Sequence, residues 1–155
     1  MILVTLGTQS QKFYRLLDYI EKSNIDDEII VQAGGSADYK SKKMKMLKFI
    51  DYDEMIKLIK KADLVITHGG TGSIIMPLQY EKKVIACARL EKFGEHINDH
   101  QTEIVSVFAE EGHILELNED NDLDDLLKEI KKFKPNIYVS NKDNFIKLLK
   151  EEIDK

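Results

Sequence analysis

The stretch Leu64-Val65-Ile66-Thr67-His68-Gly69-Gly70-Thr71-Gly72-Ser73 decides the fold. It reads as a short strand, a glycine-rich turn and the start of a helix. The strand has no polar alternation before Thr67, which suits a parallel sheet covered on both faces. Without Cβ atoms the turn can approach an anion closely, and the first helical turn aims unpaired N–H groups and the positive end of its dipole at it. Thr71 and Ser73 add hydroxyl donors. Such a segment is either a tight structural βα turn or a phosphate cradle. Pro77 puts the helix start near Ser73 or slightly later, because proline fits best in a first turn. No Lys follows the glycines, so this is not a P-loop, and Gly7-Thr8-Gln9-Ser10 lacks the second and third glycines of a dinucleotide fingerprint. Gly7 and Thr8 still end a strand and offer a second backbone nest.

Outward from this unit, short runs of branched residues alternate with longer runs of helical period, which predicts βα units around a parallel sheet flanked by helices, a Rossmann-like α/β domain. The expected strands are Ile2 to Leu6, Glu28 to Ala33, Met46 to Ile50, Leu64 to Thr67, Val84 to Ala88 and His113 to Leu117. Phe13, Leu16, Leu17 and Ile20 share one helical face, as do Met55, Ile56, Ile59 and Ala62, with Asp53 as the expected N-cap of the second helix and Asp51 closing the strand before it. Leu123, Leu126, Leu127, Ile130 and Phe133 form a third stripe, capped by Asn121 or Asp122 and stopped by Pro135. A last amphipathic helix is expected from Lys142 to Ile153. Gly7, Gly34, Gly35, Gly69, Gly70 and Gly72 fall at the carboxyl ends of strands, the edge where open α/β sheets bind ligands.

The chain of 155 residues fits a single domain, and its 43% hydrophobic and 33% charged residues exclude wholesale disorder. A net charge of −5 opposes nonspecific attraction to nucleic acid or anionic lipid. No apolar stretch approaches the roughly 20 residues of a membrane span, and Met1 leads straight into Ile2-Leu3-Val4, so a cytoplasmic chain is expected. Cys87 stands alone, which excludes an internal disulfide and argues against structural zinc; a core position on a strand is expected. Lys40 to Lys48 reads as a solvated loop and strand edge.

The polar concentration is Arg89-Leu90-Glu91-Lys92-Phe93-Gly94-Glu95-His96-Ile97-Asn98-Asp99-His100-Gln101. Arg89 is one of two arginines, and a guanidinium at a strand end suits a planar anion; its alternative is a salt bridge to Glu91 or Glu95. His96 and His100 have the i, i+4 spacing of a metal pair, but the order differs from H-E-x-x-H and the helix is expected to begin near Asn98 or Asp99, which leaves His96 in the loop. Ligand hydrogen bonding is therefore preferred to metal. Gln101 should project from the cleft end of the stripe continued by Ile104, Val105 and Phe108. Asp51-Tyr52-Asp53 has the D-x-D form, read here as strand end and helix cap.

Taken in order, Val4 to Thr8, Ala62 to Ser73, and Arg89 to Gln101 followed by Glu103 and Gly112 resemble the C-terminal, donor-binding half of family 28 glycosyltransferases. The run Lys92 to Gln101 is most similar to the small bacterial capsule and exopolysaccharide subunits that form one half of a split GT-B enzyme. The similarity extends to the cytosolic subunit of the dolichol-linked GlcNAc-transferase. The resemblance implies a nucleotide-sugar site, with Gly7, Thr8, His68, Gly69, Gly70, Thr71, Gly72, Ser73, Arg89, Glu95, His96, His100 and Gln101 around the diphosphate and sugar. It implies inverting transfer of a hexose or N-acetylhexosamine from a UDP-sugar to a lipid-linked saccharide, without a metal or other cofactor. The general base and acceptor groove would come from a membrane-anchored amino-terminal-half subunit that recruits this chain to the inner face of the membrane. The alternative is a noncatalytic nucleotide-sugar-binding regulatory subunit. Relatives carry a ribose-binding glutamate in the glycine-turn helix; the corresponding position here is Met76.

Overall fold

A computed structural model of the chain, described over residues 1–139, runs β1 (Ile2–Thr5), α1 (Tyr14–Lys22), β2 (Ile29–Gln32), β3 (Met44–Leu47), α2 (Tyr52–Lys61), β4 (Leu64–His68), α3 (Thr71–Gln79), β5 (Val84–Cys87), α4 (His100–Glu110), β6 (Leu115–Leu117) and α5 (Leu123–Lys132). The strands form one parallel sheet in the order β3-β2-β1-β4-β5-β6. The chain order reverses between β1 and β4, so the carboxyl ends of these two strands frame the switch-point crevice. The expected helix from Lys142 to Ile153 lies outside the described residues.

Alternate strand residues feed two cores. Val4, Ile66, Ile85 and Cys87 pack with Phe13, Leu16, Leu17 and Ile20 of the first helical stripe and with Leu123, Leu126 and Ile130 of α5. Leu3, Val65, Val84 and Ala86 face the other way, onto Leu58 and Ile59 of α2, Ile74, Ile75 and Leu78 of α3, and Ile104, Val105 and Phe108 of α4. Both faces of the sheet are therefore covered. The uninterrupted apolar strands require this, since an open face would leave half of each in water.

Besides β6, which begins at Leu115 and not at His113, three local expectations shift. β3 begins at Met44, which pairs with Ile29 and is buried, so the strand ends before Phe49 and Ile50. The apolar run draws the expected strand two residues late at its start and three at its end, because Phe49 belongs to the crevice surface and is 75% exposed. The cap of α2 is Asp51, whose carboxylate accepts from the Glu54 N–H at 2.8 Å, while Asp53 sits inside the first turn. α3 starts at Thr71, so Pro77 lies in its interior, where its nitrogen has no hydrogen to give the Ser73 carbonyl one turn back. Asp122 caps α5 as expected, accepting from the Asp124 N–H.

Candidate functional site

β4 delivers His68 to the crevice, and the two glycine bends close on it. A Cβ at Gly7, whose φ is +79°, would stand 2.8 Å from the His68 ring, and one at Gly70 would stand 2.6 Å from it. The bends at Gly7 and at Gly69 to Gly72 are thus neighbours across one imidazole, and both glycines are demanded by its bulk. Gly69 has a separate reason: its Cβ would meet the Gln101 Cβ at 2.8 Å and the Val105 Cγ2 at 2.9 Å. Gly72 differs, because a Cβ there meets nothing within 4 Å.

Not every amide of the bends is free. Gly7 N–H donates to Gln32 Oε1 at 3.0 Å, and Gly69 N–H donates to Gln101 Oε1 at 3.0 Å. The first intrahelical bond of α3 runs from Ile74 N–H to the Gly70 carbonyl at 3.1 Å, which leaves Thr71, Gly72 and Ser73 N–H without intrahelical acceptors. These three amides, at the positive end of α3, are what the site offers to an anion. The Thr71 hydroxyl is buried without a partner among the described residues.

His68 is 5% exposed; burial first, then the charge of Arg89, lowers its pKa to about 3, so the ring is neutral at physiological pH. Its Nε2 lies 3.0 Å from Ser73 Oγ and its Nδ1 3.2 Å from Gln101 Nε2. Gln101, expected at the cleft end of α4, is buried there and also accepts from Arg89 N–H at 3.0 Å.

Arg89 does not present its guanidinium to the crevice. The side chain is fully buried over the Phe13 ring and donates to the carbonyls of Leu6 at 2.6 Å, Gln11 at 2.9 Å and Glu95 at 2.9 Å. Burial lowers its pKa to about 10 against the pull of Glu95, so it stays charged at neutral pH. The Glu95 carboxylate instead pairs with Arg15, at 3.1 Å to Nε and 3.0 Å to Nη2, and accepts from Leu90 N–H at 2.9 Å. Arg15 also holds the Ala88 carbonyl at 2.9 Å. Both arginines therefore tie the β1–α1 loop and α1 to the β5–α4 loop. Arg89 reads in sequence as an anion ligand at a strand end, and only the fold distinguishes an arginine facing carbonyls from one facing a ligand.

His96 stays in the loop as expected, its Nδ1 accepting from Asn98 N–H at 3.3 Å. His100 opens α4, its N–H capped by Asn98 Oδ1 at 2.9 Å and its ring 3.3 Å from the Glu103 carboxylate. Among the described residues no group of three or more His, Cys, Asp or Glu is placed to hold a metal ion. His96, Ile97, Asn98, His100 and Gln101 line a second pocket with Gln9 and Gln11, in which every side chain but Ile97 ends in a polar group, and the Gln9 Oε1 is buried without a partner among the described residues. Gly7, Thr8, Gly72 and Ser73 border a separate, apolar crevice walled by Phe49, Ile50, Met55 and Met76. Sequence reasoning puts Ile50 in a strand and Met55 on a helical face, and assigns none of Gln9, Phe49, Ile50 and Met55 to the site. Phe49 was the one legible signal, an aromatic at a strand's carboxyl end, and the misplaced β3 concealed it.

Among the described residues no helix is long and apolar enough to cross a membrane. Comparison with known proteins agrees with this architecture. The chain is 33% identical over 81 residues to the UDP-N-acetylglucosamine transferase subunit ALG13 of Candida glabrata, covering 52% of this chain and 39% of that one. It is 28% identical over 138 residues to the ALG13 subunit of Debaryomyces hansenii, covering 82% and 65%. It spans about two-fifths to two-thirds of the length of these curated relatives. Among solved structures, an NMR structure of ALG13 superposes with a TM-score of 0.59 at 20% identity, over 99% of this chain and 96% of that one. The calicheamicin glycosyltransferase CalG4 superposes with a TM-score of 0.60 at 16% identity, over 85% of this chain and 33% of that one. The sheet and its helices are thus one half of a GT-B fold. The glycosyltransferase family 28 C-terminal domain matches residues 1–154, and the chain belongs to that family.

Proposed function

We propose that this domain is the donor-binding subunit of a two-component inverting glycosyltransferase that moves a hexose or N-acetylhexosamine from a UDP-sugar to a lipid-linked saccharide. What carries the reading is the row of unpaired Thr71, Gly72 and Ser73 amides at the switch point, with Gly72 and Ser73 bordering an apolar crevice and a second pocket joined to Ser73 through the Gln101 and His68 side chains. A nucleotide-sugar diphosphate has this order of chemistry: a flat base, two phosphates and a hydroxylated ring. The base and ribose lie in the Phe49 and Met76 crevice, the diphosphate on the amides, and the sugar toward Gln9, His96 and His100. The names of the relatives make UDP-N-acetylglucosamine the first donor to test. Met76 offers no carboxylate to the ribose, so recognition of the nucleoside falls to the apolar walls and the nearby backbone.

Cleavage at the anomeric carbon leaves its electron pair on the diphosphate. Preorganised N–H donors and the α3 terminus stabilise that charge as it develops, without requiring a divalent ion. Arg89 and Arg15 serve this step indirectly, by fixing the loops around the cleft. The acceptor hydroxyl needs a general base and a groove, both assigned to an amino-terminal-half subunit anchored at the cytoplasmic face of a membrane, in capsule or exopolysaccharide assembly.

The test is sugar transfer to a lipid-linked acceptor from a panel of UDP-sugars, by the chain alone, by an amino-terminal-half subunit alone and by the mixture. Transfer by the mixture only is expected. Comparable steady turnover by the chain alone would defeat the split-site reading. UDP-sugar binding without any dependence of the mixture's transfer on Gly72 or Ser73 would favour a regulatory subunit.

A further inference from the structure

The side-chain amide of Gln101 sets the direction of a hydrogen-bond chain that ends at the cleft. Two backbone donors, Gly69 N–H and Arg89 N–H, each lie 3.0 Å from one end of that amide. That end must be the oxygen, since an NH2 group there would confront two N–H groups with no acceptor. The NH2 end therefore faces His68 Nδ1 at 3.2 Å. An amide NH2 only donates, so Nδ1 carries a lone pair, and a neutral imidazole with a bare Nδ1 keeps its proton on Nε2. Nε2 stands 3.0 Å from Ser73 Oγ, which must accept that proton. The hydroxyl proton of Ser73 is then left over. No carbonyl among the described residues takes it, and it sits in the first turn of α3 beside the unpaired amides.

We propose that Gln101 and His68 are positioning residues that hold the Ser73 hydroxyl as a hydrogen-bond donor to a ligand oxyanion at the amino terminus of α3. The ligand half of this inference rests on the reading of the cleft as a diphosphate site. Every group the site then presents at this point is a neutral donor, which suits the acceptor-only oxygens of a diphosphate. Gln101 has both ends of its amide engaged by the protein and acts through His68 instead of on the sugar. Because burial keeps the His68 ring neutral far below physiological pH, the donor is present throughout the working range.

The experiment has two arms. Long-range 1H–15N correlation on 15N-histidine protein reads the tautomer directly, and an Nε2-protonated His68 is expected in the ligand-free chain. Calorimetry with UDP and with inorganic diphosphate reads the consequence. In Gln101→Glu a carboxylate still accepts from Gly69 and Arg89 but also demands a proton from Nδ1. The ring then becomes an acceptor at Nε2 and turns the Ser73 hydroxyl inward. UDP affinity is expected to fall about ten- to hundredfold, the worth of one hydrogen bond to a charged group. Ser73→Ala should lose as much, and adding Gln101→Glu to Ser73→Ala should lose no more. Full additivity of the two, or an Nδ1-protonated variant that binds UDP like wild type, would overturn the proposal. A wild-type ring protonated at Nδ1 overturns it even if UDP binds. A wild-type ring protonated at Nε2 with no binding of UDP or diphosphate overturns the donor-site reading on which it rests.

Discussion

The His68 ring fills the space beside Gly7 and Gly70, which explains two glycines that the fold needs and isolates one, Gly72, that it does not. Gly70→Ala drives a methyl against His68 Cε1 at 2.6 Å, and the imidazole cannot retreat from its contacts with Ser73 and Gln101. A loss of about 1–3 kcal/mol is expected, as for other overpacked sites. Gly72→Ala meets no atom within 4 Å and lies in a helix, so it should raise stability by about 0.5–1 kcal/mol. If a diphosphate approaches the Gly72 backbone, the same methyl weakens UDP binding. Denaturant midpoints paired with UDP titrations separate the two effects, and a Gly72→Ala chain that binds UDP normally would remove that backbone from the site. The ring itself makes stability depend on pH. Its folded pKa, about 3, lies below the ordinary value of 6.5, so between these limits the unfolded chain binds the extra proton. Stability therefore falls as pH drops below about 6.5, with a slope approaching about 1.4 kcal/mol per pH unit from this group. Unfolding curves of wild type and His68→Gln between pH 7 and pH 4 should diverge in steepness, with the wild type steeper.

The elements that could be foreseen were those whose side chains obey one period. Phe13, Leu16, Leu17 and Ile20 are each fully buried where α1 meets the sheet, because a helical stripe has only one face to bury. The bounds of β3 escaped because the apolar residues in and after it serve two purposes, Met44 filling the core and Phe49, beyond the strand, walling the crevice. Arg89 escaped because charge type is legible in a sequence while the partner is not. The β1–α1 and β5–α4 loops, far apart in the chain, are joined by its contacts to Leu6, Gln11 and Glu95. Arg89→Lys keeps the charge but puts one compact ammonium where a planar fork reached three carbonyls. Buried carbonyls left unpaired should cost about 2–4 kcal/mol. Hydrogen exchange should show faster opening of residues 7–12 and 90–96 in this variant, while α5 stays protected. Uniform acceleration across the domain would mean that the two loops are not a separate cooperative unit.

At the scale of the whole molecule, the parallel sheet and the switch-point crevice were legible because uninterrupted apolar strands separated by helical stripes admit few arrangements. The placing of an apolar crevice at Gly72 and Ser73 and of a second pocket around Gln9, His96 and Gln101 was not, since it depends on which residues of distant loops meet. Cys87 offers a way to measure both the fold and the site at once. It is fully buried in β5, between β4 and β6, and burial pushes its thiol up to about 12. Native Cys87 should therefore resist a thiol reagent at pH 8, and labelling should proceed only through molecules that open the core. Its rate then reports the free energy of opening. A ligand held by the native crevice alone stabilises the closed state by mass action, so UDP at one hundred times its dissociation constant should slow labelling about a hundredfold. Slow labelling that ignores UDP would mean that β5 opens without disturbing the amides of α3, or that UDP is not held there. Fast labelling of the free protein would show that the sheet is not closed on both faces around β5.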